Sequence, residues 1–265
     1  MPLFAANLSM MYEEVPFLER FARAAADGFI GVEFLFPYDY TANELKSLLD
    51  RNGLKQVLFN APPGDWAAGE RGIASLPGRE EEFIQSIEKA LHYAKILNCR
   101  TVHVMAGNRV PLMERNRQFS VFRSNLIKAA DMALQQSITL VLEPINVRNM
   151  PQYLLNTQDE GQTLVAEIGL ENIAVQFDMY HCQITEGDLT TRLQRDLPRI
   201  GHIQIAGVPD RHEPDKGEVN YPWLFNMLDD MGYEGWIGCE YIPAKGTSEG
   251  LGWFQPWKNK QHFRT

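Results

Sequence analysis

The chain has 265 residues, 45% of them hydrophobic and 22% charged, which is the composition of a globular protein with a sizeable core. Its net charge of −9 and the absence of a basic run argue against a nucleic acid partner. Its first residues lack the pattern of a signal peptide, and no stretch approaches the roughly 18 apolar residues of a membrane span, so we expect a cytoplasmic protein with no membrane contact.

Short runs rich in β-branched residues alternate with amphipathic segments along the whole chain. Several runs, among them TVHVM and TLVLE, have no polar face to give to water, which is typical of strands covered on both sides. The predicted strands are Leu3–Asn7, Gly31–Phe34, Lys55–Asn60, Thr101–Met105, Thr139–Glu143, Ile173–Asp178, His202–Ile205 and Trp236–Glu240.

Helical patterns fill the gaps between these strands. The segments NELKSLLDRNG and YPWLFNMLDDMG end at Gly53 and Gly232, and glycine is common just after a helix. In EEEFIQSIEKALHYAKIL the apolar residues recur at a spacing of three to four, which predicts one buried stripe made of Phe83, Ile84, Ile87, Leu91 and Ala94.

Eight strands alternating with helices over roughly 250 residues predict a single (β/α)₈ TIM barrel, here over residues 1–265 with a peripheral tail at the last few positions. The competing architecture is a doubly wound open sheet that binds a dinucleotide. It requires a glycine-rich turn after the first strand, and the segment NLSMMYEE contains no glycine. The barrel is therefore the preferred fold.

Oxygen-bearing side chains close the last four strands, at Glu143, Asp178, Gln204 and Glu240. Neighbouring strands lie about 4.8 Å apart and barrel sites form at the carboxyl ends of strands, so these groups can converge. Three carboxylates in one small volume need a cation or protons to coexist. Oxygen ligands without thiolates favour Mg²⁺ or Mn²⁺. The alternative is a set of unrelated turn residues whose side chains point into solvent.

The stretch GHIQIAGVPDRHEP adds further candidates to this end of the barrel. His202 and Gln204 are two apart on a strand, so both face the interior, with His202 one layer deeper, where it supports the site or touches substrate. Arg211 lies on the following loop, within reach of an anionic group above the metal. Asn7 and His103 are also candidate substrate-binding residues, although each taken alone fits a turn or core role.

Two features outside these strand ends bear on function. Cys99, Cys182 and Cys239 are widely spaced and odd in number, which indicates reduced thiols. The connection at residues 61–78, APPGDWAAGERGIASLPG, is long for a barrel loop. It fits either a lid that carries Trp66 over the site or an ordered surface loop.

The segments VLEPIN, QFDMYH and GHIQIAGVPDRHEPDKGEVNYPWLFNMLDDMGYEGWIGCEY together resemble the hydroxypyruvate isomerase family within the xylose isomerase-like barrels. The resemblance covers nearly the whole chain. It implies a divalent metal bound by Glu143, Asp178, Gln204 and Glu240, with Glu143 and Glu240 as the acid–base pair. It also implies substrate contacts from His181 and Arg211. Many related barrels have histidine where Gln204 stands, which makes transfer from the ketose epimerases less secure.

The resemblance implies isomerisation of a small anionic sugar acid, in which a carbonyl and the neighbouring hydroxyl trade places through an enediolate. This family also includes 2-oxo-tetronate isomerases, and the overall resemblance of the chain favours a four-carbon 2-oxo acid, with the three-carbon hydroxypyruvate as the alternative. Two readings from other classes are a DNA-repair endonuclease on a related barrel and a sugar-binding barrel without catalysis. The six histidines and the acidic charge disfavour the endonuclease. Related barrels often associate, so a homo-oligomer is also expected.

Overall fold

The structure, a computed structural model, describes residues 2–261, with side chains described through residue 258. Within this range, eight parallel strands pair in chain order and close into a barrel, because the first strand pairs with the last and sets Leu3 opposite Trp236. The strands are β1 (Leu3–Asn7), β2 (Gly31–Phe34), β3 (Lys55–Asn60), β4 (Thr101–His103), β5 (Thr139–Leu142), β6 (Ile173–Asp178), β7 (Ile200–Ile205) and β8 (Trp236–Cys239).

The predicted barrel is confirmed, and the strand positions differ from the prediction only at their ends. β4 stops two residues earlier, at His103, and β7 begins two residues earlier, at Ile200. Glu143 and Glu240 directly follow β5 and β8. Glu143 precedes Pro144, which has no backbone N–H to donate to a neighbouring strand, so the β5 ladder ends there.

Helices cover the outside of the barrel and pack against it through apolar stripes. In α3 the predicted stripe is buried at Phe83, Ile87, Leu91 and Ala94, and Ile84 is partly buried at its edge. Within the described residues the helices are α1 (Phe17–Asp27), α2 (Ala42–Asn52), α3 (Glu80–Leu97), α4 (Arg115–Leu134), α5 (Gln158–Ile168), α6 (Met179–Thr185), α7 (Leu189–Asp196), α8 (Tyr221–Asp230), α9 (Thr247–Gly250) and α10 (Gln255–Gln261).

Local sequence determines where these helices begin and end. The Thr41 hydroxyl accepts a hydrogen bond from the Glu44 N–H at 3.2 Å and caps the start of α2. Gly53 follows α2 with φ of 64°, a left-handed conformation that favours glycine. α8 ends at Asp230, and Gly232, at φ of 75°, lies two residues beyond it.

The C-terminal segments pack against the first strand. The Phe4 ring makes edge-to-face contacts with Phe225 at 5.0 Å and with Trp253 at 5.4 Å between ring centroids. This aromatic cluster ties the two ends of the described chain together across the β1–β8 seam. The expected peripheral tail includes positions 262–265, which lie outside the described residues.

The connection at residues 61–78 is ordered and held to the loop that follows β4. The Ser75 N–H donates to the Ala106 carbonyl at 3.0 Å, and the Asn108 side chain donates to the Gly69 carbonyl at 3.0 Å. Trp66 is 37% exposed and packs between Phe36 and Arg71, whose guanidinium lies 3.8 Å from the Trp66 ring centroid. Movement of this loop as a lid stays a prediction.

All three cysteines, Cys99, Cys182 and Cys239, are free and buried, as expected for reduced thiols. Across residues 2–261, we find no helix with both the length and the apolar character needed to cross a bilayer.

Candidate metal and acid–base site

Three buried carboxylates meet at one end of the barrel. Asp178 ends β6, and Glu143 and Glu240 follow β5 and β8. Because parallel strands of a closed barrel all point the same way, their carboxyl ends bring these side chains to a common volume. His181 joins them from the first turn of α6, and one potential ligand atom from each of the four residues lies within 4.8 Å of the others.

The two oxygens of the Asp178 carboxylate have different roles. Its Oδ1 accepts hydrogen bonds from the backbone N–H groups of Tyr180 at 2.7 Å and His181 at 3.3 Å, and so caps the start of α6. Its Oδ2 is buried and has no hydrogen-bond partner among the described residues, and the same is true of Glu143 Oε1. Two unsatisfied buried carboxylate oxygens indicate a site for a positively charged group.

The charge states of these carboxylates point to the same conclusion. Burial, together with the neighbouring Glu240 and Asp178, raises the pKa of Glu143 well above its usual value. Burial also raises the pKa of Glu240 to about 8, although Arg211 opposes this shift. The pKa of Asp178 rises for the same reason, again against the influence of Arg211. Burial disfavours the ionised form of these carboxylates, and a nearby cation favours it. This oxygen-rich set of side chains fits a hard divalent ion.

Arg211 reaches this cluster from the loop after β7, as predicted from its position. Its Nη2 lies 2.5 Å from Glu240 Oε2 and 4.0 Å from Asp178 Oδ2, and its guanidinium lies 5.0 Å from the Tyr180 ring centroid. Although burial opposes its charge, the carboxylates of Glu240, Asp178 and Glu143 raise the pKa of Arg211. The site therefore contains one permanent cation beside three acids.

His181 faces the two unsatisfied carboxylate oxygens. Its Nε2 lies 3.7 Å from Asp178 Oδ2 and 3.9 Å from Glu143 Oε1, beyond hydrogen-bonding distance of either. Its Nδ1 lies 2.6 Å from the Asn146 side-chain nitrogen. Burial, the Arg211 charge and His103 lower the pKa of His181 well below the usual value, so the imidazole is neutral at physiological pH.

His103 lies on the Glu143 side of the site. Its Nδ1 is 3.2 Å from Asn60 Oδ1 and 3.8 Å from Glu143 Oε2, and its Nε2 has no hydrogen-bond partner among the described residues. Burial, with a smaller effect from His202, lowers the pKa of His103 to about 3. The ring is therefore a neutral polar group near Glu143, and its contact with substrate stays a prediction.

Beneath the carboxylates lies a buried set of hydrogen-bonded polar residues, here named the floor network. Glu33 Oε2 lies 2.7 Å from His202 Nε2, and Glu33 Oε1 accepts from Gln204 Nε2 at 2.8 Å and from Asn7 Nδ2 at 3.0 Å. Gln204 Oε1 accepts from Gln176 at 2.5 Å. The floor network comprises Asn7, Glu33, Gln176, His202 and Gln204.

The floor network bears on three of the predicted site residues. Gln204 and His202 face the barrel interior, as their spacing predicted, and His202 pairs with Glu33. Asn7 contacts the site itself, because its Nδ2 lies 3.5 Å from Glu240 Oε1. Because the Gln204 Nε2 donates to Glu33, the Gln204 Oε1 faces away from Glu33. Ligation of a metal by Gln204 stays a prediction.

Sequence reasoning missed the roles of Gln176, Glu33 and Asn146. A signal existed for Gln176, since it lies two residues before Asp178 on β6 and therefore faces the same side of the strand. Glu33 has no local signal for its role in the four-residue strand β2, yet it is fully buried and holds three partners. Asn146 lies in a loop, and its contact with His181 depends on how that loop folds back.

Comparisons with known proteins agree with the barrel fold. The family model for xylose isomerase-like TIM barrels matches residues 21–257. A Cupriavidus necator protein named 2-oxo-tetronate isomerase is 59% identical over 97% of this chain and 99% of its own length. An Escherichia coli protein named hydroxypyruvate isomerase is 43% identical over 96% and 99%. A Brucella melitensis crystal structure described as AP endonuclease, family 2, superposes with a TM-score of 0.95 at 52% identity, over 97% of this chain and 99% of that one. This chain belongs to the xylose isomerase-like TIM barrel family.

Proposed function

We propose that this chain is an isomerase that converts 2-oxo-tetronate to 3-oxo-tetronate by exchanging a carbonyl with the neighbouring hydroxyl. The observation that carries the proposal is the pair of buried glutamates, Glu143 and Glu240, which enter one small volume from two different strands. The name of the relative that is 59% identical, 2-oxo-tetronate isomerase, supports the substrate.

The reaction needs two proton-transfer groups near adjacent carbons of the substrate. One glutamate removes the proton from the carbon that bears the hydroxyl, and the other returns a proton to the former carbonyl carbon. The hydroxyl proton passes to the former carbonyl oxygen, and the two glutamates end with exchanged protonation states, so atoms and charge balance. Raised pKa values suit both groups for this work, because acid–base catalysts act best when their pKa lies near the working pH.

We propose that Glu143, Asp178, Gln204 and Glu240 hold Mg²⁺ or Mn²⁺. The two unsatisfied oxygens, Glu143 Oε1 and Asp178 Oδ2, fit such an ion. When bound, it supplies positive charge against the negative charge that develops on the two substrate oxygens.

Arg211 is proposed to bind the substrate carboxylate, for which its planar fork is suited. Its guanidinium is the cation nearest the acids among the described contacts, and it is only 15% exposed, so a carboxylate that reaches it leaves bulk water. His181, His202, His103 and Asn7 complete the proposed substrate pocket. Asn7 and His103 adjoin Glu240 and Glu143, and His202 acts from below through Glu33.

The proposal is tested by incubating the protein with 2-oxo-tetronate in D₂O with Mg²⁺ or Mn²⁺ and following the reaction by NMR. We expect formation of 3-oxo-tetronate with deuterium at the carbon that receives the returned proton. Hydroxypyruvate is the second candidate substrate, favoured by the E. coli relative, and it is measured in the same assay. If neither acid turns over or exchanges a proton, the isomerase proposal is wrong.

The same preparation is tested on duplex DNA that contains an abasic site, since a 52% identical structure is described as an AP endonuclease. We expect no cleavage, because the four-residue cluster of possible metal ligands contains one histidine beside three acids and the chain carries a charge of −9. Metal-dependent cleavage without isomerase activity would support the endonuclease. Binding of sugar acid without turnover would support a non-catalytic barrel.

We further propose a cytoplasmic location, which suits three free cysteines. A homo-oligomer is proposed as well, and light scattering coupled to size exclusion measures its mass.

A further inference from the structure

The Asn146 side chain has a fixed orientation, which follows from its backbone neighbour. Asn146 lies three residues after Glu143, and its Oδ1 accepts a hydrogen bond from the Asn149 N–H at 2.9 Å. A backbone N–H can only donate, so the Asn146 atom that faces it must be the carbonyl oxygen. The Asn146 side-chain nitrogen is therefore the atom that faces His181, and it also donates to Asn149 Oδ1 at 2.8 Å.

Two donors from Asn146 converge on one nitrogen of the His181 ring. The side-chain Nδ2 lies 2.6 Å from His181 Nδ1, and the backbone N–H of Asn146 points to the same atom at 3.4 Å. An atom that accepts two hydrogen bonds cannot carry a proton of its own. The proton of the neutral imidazole therefore resides on Nε2.

The protonated Nε2 points into the reaction site. It lies 3.7 Å from Asp178 Oδ2 and 3.9 Å from Glu143 Oε1, which are the two carboxylate oxygens without a partner among the described residues. By proximity alone, His181 completes a four-residue metal site with the three acids. A nitrogen that carries a proton has no lone pair for a metal ion, so the hydrogen bonds from Asn146 oppose that role.

We propose that Asn146 is a positioning residue that fixes the His181 tautomer, so that Nε2–H donates a hydrogen bond to a substrate oxygen and does not ligate the metal. The substrate oxygen that would accept this hydrogen bond from His181 is one of the two oxygens that gain negative charge as the carbonyl and the hydroxyl exchange. The substrate part of this inference rests on the proposed function, whereas the tautomer part does not.

NMR of protein labelled with ¹⁵N-histidine, at neutral pH and without substrate, reads the tautomer directly. The protein has six histidines, and the His181→Gln variant identifies the signals of His181 by their loss. We expect a proton on Nε2 and a bare Nδ1, both in metal-free protein and with saturating Mg²⁺. A proton on Nδ1 in either state overturns the proposal.

Asn146→Asp replaces the donor with an acceptor and keeps the size of the side chain. We expect His181 to gain a proton on Nδ1, and kcat/KM for the 2-oxo acid to fall about 10- to 100-fold, as is usual for residues that orient a catalytic group. Asn149→Ala is the matched control, because the Asn149 backbone N–H that orients Asn146 remains. An unchanged tautomer in Asn146→Asp, or the same tautomer change in Asn149→Ala, overturns the proposal.

Binding of Mn²⁺ by titration calorimetry separates a donor from a ligand. We expect His181→Gln to change the Mn²⁺ affinity less than about threefold, whereas loss of a ligand costs far more than the 10- to 100-fold typical of an outer-shell residue. A loss of 100-fold or more makes His181 a ligand and overturns the proposal. If the wild-type protein shows the expected tautomer but turns over no 2-oxo acid, the proposed function fails and the tautomer assignment stands.

Discussion

Arg211 and Glu240 form an ion pair inside the site, with 2.5 Å between Nη2 and Oε2. The residue expected to bind the substrate carboxylate is thus also the counterion of an expected acid–base group. Arg211 is held there by its backbone, because its N–H donates to the Gly207 carbonyl and its own carbonyl accepts from the Ile242 N–H, each at 2.8 Å. The loops after β7 and β8 are joined at this residue.

Arg211→Ala is expected to lower kcat/KM for a 2-oxo sugar acid more than for a neutral ketose of the same length. A hydrogen bond to a charged group contributes about 1.5–3 kcal/mol, which corresponds to roughly 10- to 150-fold. Loss of the Glu240 ion pair affects both substrates, so the ratio of the two losses isolates the carboxylate contact. The measurement is steady-state kinetics on both substrates with both proteins.

Arg211→Lys is the control, since it keeps the charge and loses the planar fork. We expect it to lie between the wild type and Arg211→Ala on the acid substrate. Equal losses on the acid and the neutral ketose would mean that Arg211 only supports Glu240 and the loops.

Glu143→Gln and Glu240→Gln are each expected to reduce isomerisation by about 10²–10⁴-fold or more, the usual contribution of a general acid or base. Removal of a buried carboxylate from a crowded acidic cluster lowers repulsion, so both variants are expected to fold. Circular dichroism checks the fold, and exposed Glu249→Gln serves as the matched control. Near-normal turnover by either variant rules that glutamate out.

Exhaustive chelation is expected to abolish isomerisation, and Mg²⁺ or Mn²⁺ is expected to restore it. The reason is the cluster of three buried carboxylates, two of which have an oxygen without a partner among the described residues. Activity is measured against metal content determined by elemental analysis. Full turnover by metal-free protein would contradict the metal site.

The stability of the metal-free protein is expected to fall as the pH rises from 6 to 9. Burial raises the pKa of Glu240 from 4.5 to about 8 and raises the pKa of Glu143 well above its usual value, so the folded state holds protons that the unfolded chain releases. The contribution of Glu240 to stability is complete below pH 4.5 and is lost as the pH passes through 8. Thermal unfolding in chelator measures this trend.

Saturating Mg²⁺ is expected to reverse that trend, because metal binding displaces the same protons. Glu240→Gln is expected to flatten the pH dependence in chelator. A metal-free protein that gains stability between pH 6 and 9 would show that these carboxylates are ionised in the folded state.

Gly238→Ala is expected to destabilise the protein by about 1–3 kcal/mol, the usual cost of an added methyl group in a packed interior. A Cβ at Gly238 would collide with the Glu33 carboxylate, which cannot move freely because His202, Gln204 and Asn7 hold it. Urea denaturation measures the change. Gly252→Ala is the control, since a Cβ there meets no atom within 4 Å, and equal stability of the two variants would contradict the prediction.

The fold was predictable because each strand and helix has a strong local signal. Buried runs of β-branched residues identified the strands, and the rule that barrel sites form at carboxyl ends selected Glu143, Asp178 and Glu240. Gln176 carries the same alternation on β6, two residues before Asp178, but the apolar residues around it in IAVQFD obscure that signal.

The remaining features of the site depend on distance along the chain. Glu33 meets His202 across 169 positions, and Asn146 meets His181 across 35, so no local pattern indicates either contact. The Arg211–Glu240 ion pair depends on the path of one loop, in which Arg211 has a positive φ of 60°. Such contacts emerge only when the strands have been arranged around the barrel axis.

Asn7 and Glu240 lie 233 positions apart, yet their side chains approach to 3.5 Å at the β1–β8 seam. β1 is synthesised well before β8, so the Asn7–Glu240 contact forms only after both strands are present. A chain in which only the first seven described strands have assembled has most of its core, but the site lacks Glu240. Enzymatic turnover therefore requires molecules in which β1 and β8 have paired. A turnover assay is for this reason a more stringent test of correct folding than helix content measured by circular dichroism.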